Sequence, residues 1–378
     1  VARRSIVLDD GLRAQNPANI AYLAAGTDPG YSIRVGDTLD SLVGNLRYAR
    51  GSGGDGDEAW RLMPTVDPVF TASNPRPGPP AVGGSLRVAG YNVLNFFTTL
   101  DTGADNCGPQ SDQGCRGADS AAEFSRQVDK TVTALLAMDV DIVGLTELEN
   151  NADASLGTLV DALNARLGAN DWAFVDTGSI HDDVIKAGLI YRTSRVSTTG
   201  AFALLDRSVD SRFNDDRNRP ALAQSFSVNA GGAVFTVVVN HLKSKGSSCD
   251  ADGDPNLADG QGNCNITRTN AAVALADWVA TDPTGSGDPD VLVIGDLNAY
   301  FMEDPIRALS DGGLVNLLAG ATNSYSYNFD AQSGAFDYAF ASASLAPKVT
   351  DTIEWHINAD EPPVLDYNLD FGRDPALF

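Results

Sequence analysis

From Ser85 onward, the sequence alternates short apolar runs with longer amphipathic stretches, and this alternation restricts the fold more than any other feature. Apolar runs such as residues 291–294 are typical of strands that are buried on both faces. Three amphipathic stretches predict helices, at residues 120–138, 155–168 and 266–280. Strands that alternate with helices indicate an α/β layered sandwich built as one continuous fold.

The part before Ser85 follows a different pattern. Residues 1–70 contain short strand-like runs separated by Gly/Asp turns, which indicates a small β-barrel or part of one. Residues 71–84 are rich in proline and glycine, as is typical of a stiff, extended linker. The sequence therefore predicts a partial β-barrel segment at 1–70, a linker at 71–84 and an α/β domain at 85–378.

Several predicted strands of the α/β domain end in a polar side chain. These runs deliver Asn92, Glu147, His241, and Asp296 together with Asn298, each directly after core residues. A single ending of this kind is explained by a strand-to-loop turn, where Asp and Asn are favoured for local backbone reasons. Because ligands in layered α/β folds collect beyond strand ends, the whole set predicts one functional site.

The residue types at this predicted site suit phosphoryl chemistry. A carboxylate such as Glu147 with an amide such as Asn92 suits a hard cation, for which we expect Mg²⁺ or Mn²⁺. Asp296 is predicted to hold or deprotonate an attacking water that Asn298 orients. His241 is predicted to donate a hydrogen bond to a phosphoryl oxygen in the transition state.

The charge balance limits the substrates that the protein can bind. Fifty acidic and 26 basic residues give a formal net charge of -24, which repels nucleic acids and anionic membranes at long range. A phosphate-bearing substrate therefore requires local cationic groups, for which Arg219 and Lys243 are the candidates. Tyr191 is a further candidate for substrate contact, and Asp183 or Lys186 for orienting the histidine of the site. No apolar run is long enough to span a bilayer.

The four cysteines fall into two local pairs, Cys107 with Cys115 and Cys249 with Cys264. An even count at such spacing favours two disulfides and an oxidising compartment, so we expect a secreted protein. Zinc binding is the weaker interpretation, because neither pair has CxxC spacing or a nearby histidine.

The second cysteine loop, residues 249–264, begins like a calcium loop, with aspartates at alternate positions. The EF-hand pattern then fails, because Pro255 stands where glycine is needed and Gln261 where a bidentate glutamate belongs. A structural Ca²⁺ site of another kind and a solvated acidic loop both stay open.

Seven motifs of the α/β domain resemble, in order, those of the endonuclease/exonuclease/phosphatase family, to which pancreatic-type deoxyribonucleases belong. The motifs are "YNVLNF", "GLTELEN", "LIYR", "NRPALAQSF", "NHLKSKGSSC", "GDLNAY" and "FDYAFAS". A lone GDxN is a weak signal, whereas the ordered series is specific. The sequence is most similar to the secreted bacterial nuclease branch. This resemblance implies a four-layer α/β/β/α sandwich preceded by a partial OB-like β segment.

The resemblance also implies roles for single residues. Asn92 and Glu147 are expected to form the metal site, and His241 to contact the scissile phosphate. Asp296 and Asn298 are expected to position or activate the nucleophile.

Two further residues gain roles from the resemblance. Arg219 is expected to contact a backbone phosphate, and Asp337 resembles the family aspartate that orients a second histidine in a closing Ser-Asp-His motif. The sequence lacks this motif, and its histidines are His181, His241 and His356. Either the chain is cut short or the enzyme works without that histidine. We favour a cut chain, which would be inactive as given.

The leading hypothesis is a secreted, divalent-metal-dependent endonuclease that cleaves DNA, with RNA as an open alternative, at low sequence specificity. No obligate protein partner is expected. The first alternative keeps the fold and changes the substrate to a phospholipid or another small phosphodiester. An exposed aromatic hairpin would support that alternative, and the acidic, glycine-rich loops predict none. The second alternative is a non-catalytic extracellular protein that binds calcium or nucleic acid.

Overall fold

A computed structural model describes residues 5–12, 33–51, 58–321, 324–329, 332–362 and 365–368. Contacts divide the chain into two units, of which the first comprises Val1–Gly78 with His356–Phe378 and the second Pro79–Trp355. This division falls inside the predicted linker, and it assigns the last part of the predicted 85–378 domain to the first unit. All the predicted site residues belong to the second unit.

The first unit contains one small sheet. Its strands are β1 (Val7–Leu8), β2 (Gly44–Ala49) and β3 (Ala59–Pro64). They pair in the order β1-β3-β2, with β1 parallel and β2 antiparallel to β3. The OB-like barrel stays a prediction, since residues 1–4, 13–32 and 52–57 of that segment lie outside the described residues.

The second unit contains fourteen strands and four α-helices within the described residues. The strands are β4 (Val88–Phe96), β5 (Asp105–Cys107), β6 (Gln113–Gly114), β7 (Ile142–Glu149), β8 (Trp172–Phe174), β9 (Ile185–Arg192), β10 (Val196–Leu205), β11 (Arg219–Val228), β12 (Val234–His241), β13 (Val291–Asp296), β14 (Val315–Asn316), β15 (Tyr327–Phe329), β16 (Gln332–Gly334) and β17 (Asp337–Ala341). The α-helices are α1 (Ala121–Met138), α2 (Ala154–Leu167), α3 (Asn265–Val279) and α4 (Asp304–Asp311), and short 3₁₀ turns lie at Asp250–Asp252 and Ala346–Lys348.

Two sheets form the core of this unit. One has four strands in the order β4-β7-β9-β8, and the other has six in the order β10-β11-β12-β13-β17-β14. Strands β4 and β7 are parallel neighbours in the first sheet, and β12 and β13 are parallel neighbours in the second. The carboxyl ends of each parallel pair therefore lie at the same edge of their sheet.

The hydrophobic clusters define four layers. Helices α1 and α2 pack on the outer face of the four-stranded sheet, and α3 and α4 pack on the outer face of the six-stranded sheet. A third cluster lies between the sheets and includes Leu189 and Ile142 from one and Val237 and Ile294 from the other. The fold is thus mixed α/β, consistent with the predicted four-layer sandwich.

The three predicted helices are confirmed, with ends that local chemistry explains. The side chain of Ser120 accepts a hydrogen bond from the backbone of Glu123 at the start of α1, which is half of a capping box. Helix α2 ends at Gly168, whose φ of 67° is a left-handed conformation that glycine adopts without steric cost. Helix α4 was not predicted, because it is short and buries only three residues.

Glycines let the two sheets approach closely near the strand ends. A Cβ on Gly144 of β7 would lie 2.7 Å from Val239 Cγ2 and 2.8 Å from Ile294 Cδ1, both on the facing sheet. Gly90 of β4 similarly faces the backbone nitrogen of Gly295, 3.4 Å from the position of a Cβ. Larger side chains at these positions would separate the sheets just before the residues that form the predicted site.

Both predicted disulfides are confirmed, between Cys107 and Cys115 and between Cys249 and Cys264. Among the described helices, none combines the length and the apolar character that a membrane crossing needs.

Candidate functional site

The strand ends of the two sheets bring five predicted residues together. Asn92 lies in β4 and Glu147 in β7, while His241 and Asp296 end β12 and β13. Asp337 begins β17 and is the direct partner of Asp296 in the antiparallel ladder. The predicted convergence at one edge is therefore present in the structure.

Asn92 connects the two central carboxylates. Its Nδ2 donates to Glu147 Oε1 at 3.0 Å and to Asp296 Oδ2 at 3.2 Å. Its Oδ1 accepts from the backbone nitrogen of Leu94 at 2.9 Å. In this arrangement Asn92 turns its nitrogen toward the site, so it orients the two carboxylates. Its predicted role as a metal ligand stays a prediction.

Glu147 occupies a strained backbone position. Its φ of 64° is left-handed, which is rare for a residue other than glycine, and the pairing of β7 with both neighbours is irregular there. Glu147 Oε2 accepts a hydrogen bond from the backbone nitrogen of Asn95 at 3.0 Å. The irregular pairing is a β-bulge, and it turns the Glu147 carboxylate toward Asp296 rather than toward the next layer of the core.

His241 is buried beside the two carboxylates. Its Nε2 lies 3.9 Å from Glu147 Oε1 and 4.0 Å from Asp296 Oδ2, and ligand atoms of all three residues lie within 4.8 Å of one another. Burial, and then the charges of Arg219, Lys243 and Arg116, hold the pKa of His241 well below its usual value. The imidazole is therefore neutral at pH 7, as a metal ligand or a neutral hydrogen-bond donor must be.

The buried Asp296 and the half-buried Asp337 form an acidic pair. Burial raises the pKa of Asp296 well above its usual value, and the charge of Asp337 raises it further. Burial also raises the pKa of Asp337, against a hydrogen bond from Ser326 that lowers it. Asn298 holds Asp296 through a 2.9 Å hydrogen bond from its backbone nitrogen, and its side chain donates to the Leu242 carbonyl at 3.0 Å.

A group of cationic side chains lies on the His241 side of the site. Arg219 is mostly buried, and its Nε lies 3.0 Å from Asp183 Oδ2. Burial, and then the neighbouring Arg219 and other cations, lower the pKa of Lys243 to about 8. Arg116, which sequence reasoning missed, is exposed and close enough to affect His241.

The position of Arg116 has a sequence signal that could have revealed it. It directly follows Cys115, and the Cys107–Cys115 disulfide packs against Phe97 and Val184 in a small core cluster. The backbone next to Arg116 is therefore anchored to the core, although its side chain is exposed.

Tyr191 is not brought to this cluster, which corrects the prediction that it contacts substrate at the site. Strand β9 runs antiparallel to β7, so Tyr191 pairs with Ile142 at the opposite end of β7 from Glu147. Its ring packs between the sheets, edge-on to Phe226 at 5.4 Å. The side chain has a core role.

The candidate partners of His241 are also engaged elsewhere. Asp183 pairs with Arg219, and Lys186 forms a buried ion pair with Asp153. Among the described residues, none forms a hydrogen bond with His241 Nδ1.

The acidic residues of the second cysteine loop are used in ways that do not need calcium. Asp254 accepts hydrogen bonds from the backbone nitrogens of Ile266 and Thr267 in the first turn of α3, the longer at 3.3 Å. Asp252 pairs with Arg217 at 2.5 Å. The predicted Ca²⁺ site stays a prediction.

A second group that could hold a cation contains His181, Asp215 and Asp216. Arg207 forms ion pairs with both aspartates, so the negative charge of this group is already balanced. Among the described residues, no Arg or Lys forms an ion pair with Glu147 or Asp296, so the cluster at the strand ends is the better candidate.

Comparison with known proteins supports the resemblance. The sequence model of the Endonuclease/Exonuclease/phosphatase family matches residues 89–358, which contain all the predicted site residues. Among curated proteins, none matches this sequence.

Solved structures of the same fold are distant from this chain. An endonuclease/exonuclease/phosphatase family protein from Bacteroides thetaiotaomicron is 18% identical, with 68% of this chain and 83% of that chain covered and a TM-score of 0.46. Mannosyl-6-phosphatase Bt3783 from the same organism is 18% identical, with 69% and 86% covered and a TM-score of 0.45. The human Nocturnin catalytic domain is 18% identical, with 68% and 83% covered and a TM-score of 0.42. Likenesses at this level do not identify a substrate.

The family model covers most of the chain, including both sheets and every strand end that carries a predicted catalytic residue. The chain therefore belongs to the endonuclease/exonuclease/phosphatase family, whose members hydrolyse phosphate esters and diesters.

Proposed function

We propose that the protein is a divalent-metal-dependent nuclease that hydrolyses phosphodiester bonds of DNA. One observation carries this proposal: Glu147, His241 and Asp296, which are distant in the sequence, place ligand atoms within 4.8 Å of one another. Such a group at the edge of an α/β sandwich is suited to hold a cation against a phosphate.

The donor set fits a hard divalent cation. Carboxylate oxygens are the preferred ligands of Mg²⁺ and Mn²⁺, and here the half-buried Glu147 and the buried Asp296 bond to the same amide nitrogen of Asn92. Without a cation, the negative charges of Glu147 and Asp296 repel each other, and that of Asp337 adds to the repulsion. A cation held by Glu147 beside Asp296 would balance these charges.

The chain's own groups are placed for hydrolysis. When bound, the cation supplies positive charge to the phosphoryl oxygens. Asp296 accepts a proton from water as the water oxygen bonds to phosphorus and the bond to the leaving oxygen breaks. Neutral His241 donates a hydrogen bond to a phosphoryl oxygen, and Asn298 holds Asp296 in position. The leaving oxygen takes its proton from solvent.

Local positive charge supports a polyanionic substrate. The formal net charge of -24 opposes binding of nucleic acid, but Arg219, Lys243 and Arg116 gather on one side of the site. Cationic contacts to phosphate position the strand without reading its bases, which implies low sequence specificity. RNA is a second substrate of the same chemistry, since its phosphodiester is equally accessible to these groups.

We also propose that the protein is secreted. Two disulfides support this proposal, since disulfides persist in oxidising compartments.

Plasmid nicking tests the proposed function. Purified protein is incubated with supercoiled plasmid DNA in Mg²⁺ or Mn²⁺, with EDTA as the control. We expect nicking that depends on the cation and is abolished by Asp296→Ala while the melting temperature is kept. Nicking by Asp296→Ala at the wild-type rate would contradict the assignment.

One observation favours a second candidate, a phosphodiesterase that acts on lipids. Contrary to the sequence-based expectation, the structure has an aromatic hairpin, in which β15 and β16 pair and Tyr327 and Phe329 are exposed. Turnover of sphingomyelin vesicles without plasmid nicking would establish this candidate. DNA binding without hydrolysis of either substrate would instead establish the non-catalytic alternative.

A further inference from the structure

The hairpin carries part of a row of four aromatic rings. Tyr300 lies 4.5 Å from Phe336, Phe336 lies 5.0 Å from Tyr327, and Tyr327 lies 6.5 Å from Phe329, measured between ring centroids. The planes of Phe336 and Tyr327 differ by 18°, and those of Tyr327 and Phe329 by 12°. The outer three rings are therefore nearly parallel.

Hydrogen bonds and chain connectivity link the row of rings to the candidate active site. Phe336 directly precedes Asp337, and the side-chain oxygen of Ser326 accepts hydrogen bonds from the backbone nitrogens of both residues, at 3.0 and 3.1 Å. Tyr300 lies two residues after Asn298 and packs on Gly334, where a Cβ would lie 2.4 Å from the ring. The inner end of the row is thus fixed next to Asp337 and Asn298 of the candidate site.

The outer end of the row is exposed to solvent. Tyr300 and Phe336 are half-buried, whereas 44% of Tyr327 and 59% of Phe329 is accessible. A single exposed aromatic residue needs no explanation, but adjacent parallel rings beside a catalytic cluster form an apolar surface that suits a flat ligand.

We propose that Tyr327 and Phe329 form a stacking surface for unpaired nucleobases of the substrate strand. This inference rests on the proposed nuclease function and specifies its substrate as single-stranded nucleic acid. Aromatic side chains bind single strands by stacking on base faces, and they tolerate any base because every base has such a face. In a duplex the same faces are covered by neighbouring base pairs, so the strand must be unpaired where it meets the rings.

The observations favour a nucleobase over a membrane as the occupant. The exposed rings are nearly parallel and form a flat surface, without a projecting apolar tip. The row also extends through Phe336, which directly precedes Asp337. A base stacked on the outer rings would belong to the strand whose phosphate reaches the acidic cluster.

The test compares two single-stranded substrates that differ only in their bases. One is a short oligothymidylate, and the other has the same backbone with abasic residues. We expect the wild-type protein with Mn²⁺ to cleave the oligothymidylate with a kcat/KM at least about fivefold higher. The double variant Tyr327→Ala/Phe329→Ala should cleave both with similar kcat/KM, because the stacking surface is removed. Phe329→Ala alone, at the exposed end of the row, should lower the ratio of kcat/KM for the oligothymidylate to kcat/KM for the abasic substrate, with little risk to folding.

Two controls define what the ratio means. Tyr327→Phe keeps the ring and should keep the wild-type ratio. Val315→Ala shortens another exposed apolar side chain of the second unit and should change neither rate.

Each result decides a different point. Equal cleavage of both substrates by the wild-type protein would overturn the stacking surface and leave the nuclease function standing. An equal loss on both substrates in the double variant would also overturn it, because the rings would then only support Asp337. Loss of binding to sphingomyelin vesicles with an unchanged ratio would assign the hairpin to membranes. Cleavage of neither substrate by the wild-type protein would refute the nuclease function itself, and this inference with it.

Discussion

Replacing Asp296 by asparagine should make the protein more stable and inactive at the same time. The substitution keeps the size of the side chain and removes one negative charge from a buried acidic cluster. Ligand atoms of Asp296 and Glu147 lie within 4.8 Å of each other, and at an effective dielectric constant of 20 two charges at that distance repel by about 3 kcal/mol.

The substitution also has a cost. Asp296 accepts hydrogen bonds from Asn92 and from the backbone of Asn298, and an asparagine can accept only one of them. The lost bond reduces the gain by about 1 kcal/mol. The net expectation without divalent cations is a stabilisation of about 2 kcal/mol, which raises the melting temperature by about 3 °C in a protein of this size.

The stabilisation by Asp296→Asn should increase as the pH rises. Burial and Asp337 raise the pKa of Asp296, so the folded state binds its proton more readily than the unfolded state does. The wild-type protein therefore bears the destabilisation only when Asp296 is charged. The advantage of Asp296→Asn should be absent below the ordinary carboxyl pKa of 3.8, grow as the pH rises toward the raised folded pKa, and stay constant above it.

Thermal unfolding in EDTA at several pH values and plasmid nicking in Mg²⁺ are the two assays. Nicking should fall by about 10²–10⁴ because the variant has no general base. A variant that is less stable than the wild-type protein at neutral pH in EDTA would refute the reasoning, since the carboxylates would then not repel each other in the folded state.

Four further predictions concern separate parts of the site. His241→Ala should lower nicking by about 10²–10⁴ without unfolding the protein, whereas His356→Ala should leave it unchanged. Saturating Mn²⁺, at about 100 times its dissociation constant, should stabilise the wild-type protein by about 2.7 kcal/mol in thermal unfolding, and Glu147→Gln should remove most of this gain. Arg116→Ala should weaken DNA binding and reduce the slope of log affinity against log salt by about one. Gly144→Val should lower stability by about 1–3 kcal/mol, because its side chain must enter the contact between the sheets.

Each of these has a result that contradicts it. Wild-type nicking by the His241 variant would remove that residue from the mechanism. An undiminished Mn²⁺ gain with Glu147→Gln would place the cation elsewhere. An unchanged salt slope would mean that Arg116 touches no phosphate, and an unchanged melting temperature of Gly144→Val would mean that the sheets are not in close contact there.

The sequence was sufficient to predict that these side chains converge, because parallel strands share an edge. Glu147 follows one buried run and Asp296 another, and the parallel neighbour of each strand carries a second site residue, Asn92 in β4 and His241 at the end of β12. The alternation of elements predicted the layers, and Gly144 and Gly90 explain why the layers meet closely enough for those residues to touch.

The same rule failed at Tyr191 because strand direction is not visible in a single apolar run. The run that contains Tyr191 looks like the others, but β9 is antiparallel to β7 and ends at the far edge of the sheet. The amide orientation of Asn92 was equally hidden, since it depends on two carboxylates contributed by other strands.

Loop residues were the least predictable part of the site. Arg116 is close enough to affect the pKa of His241 because its disulfide loop packs on a core cluster, and Asp254 caps α3, a role that its spacing did not indicate. The aromatic hairpin was missed because Tyr327 and Phe329 form one surface only with Phe336 and Tyr300, which belong to other segments.

The most direct test of the account is the position of a bound cation. Crystals grown with Mn²⁺ allow the ion to be located by its anomalous scattering. We predict a peak bound by a carboxylate oxygen of Glu147, next to Asp296 and His241. A peak only at His181 and Asp215, or none at the strand ends under saturating Mn²⁺, would contradict the claim that these strand ends form a metal-dependent hydrolytic site.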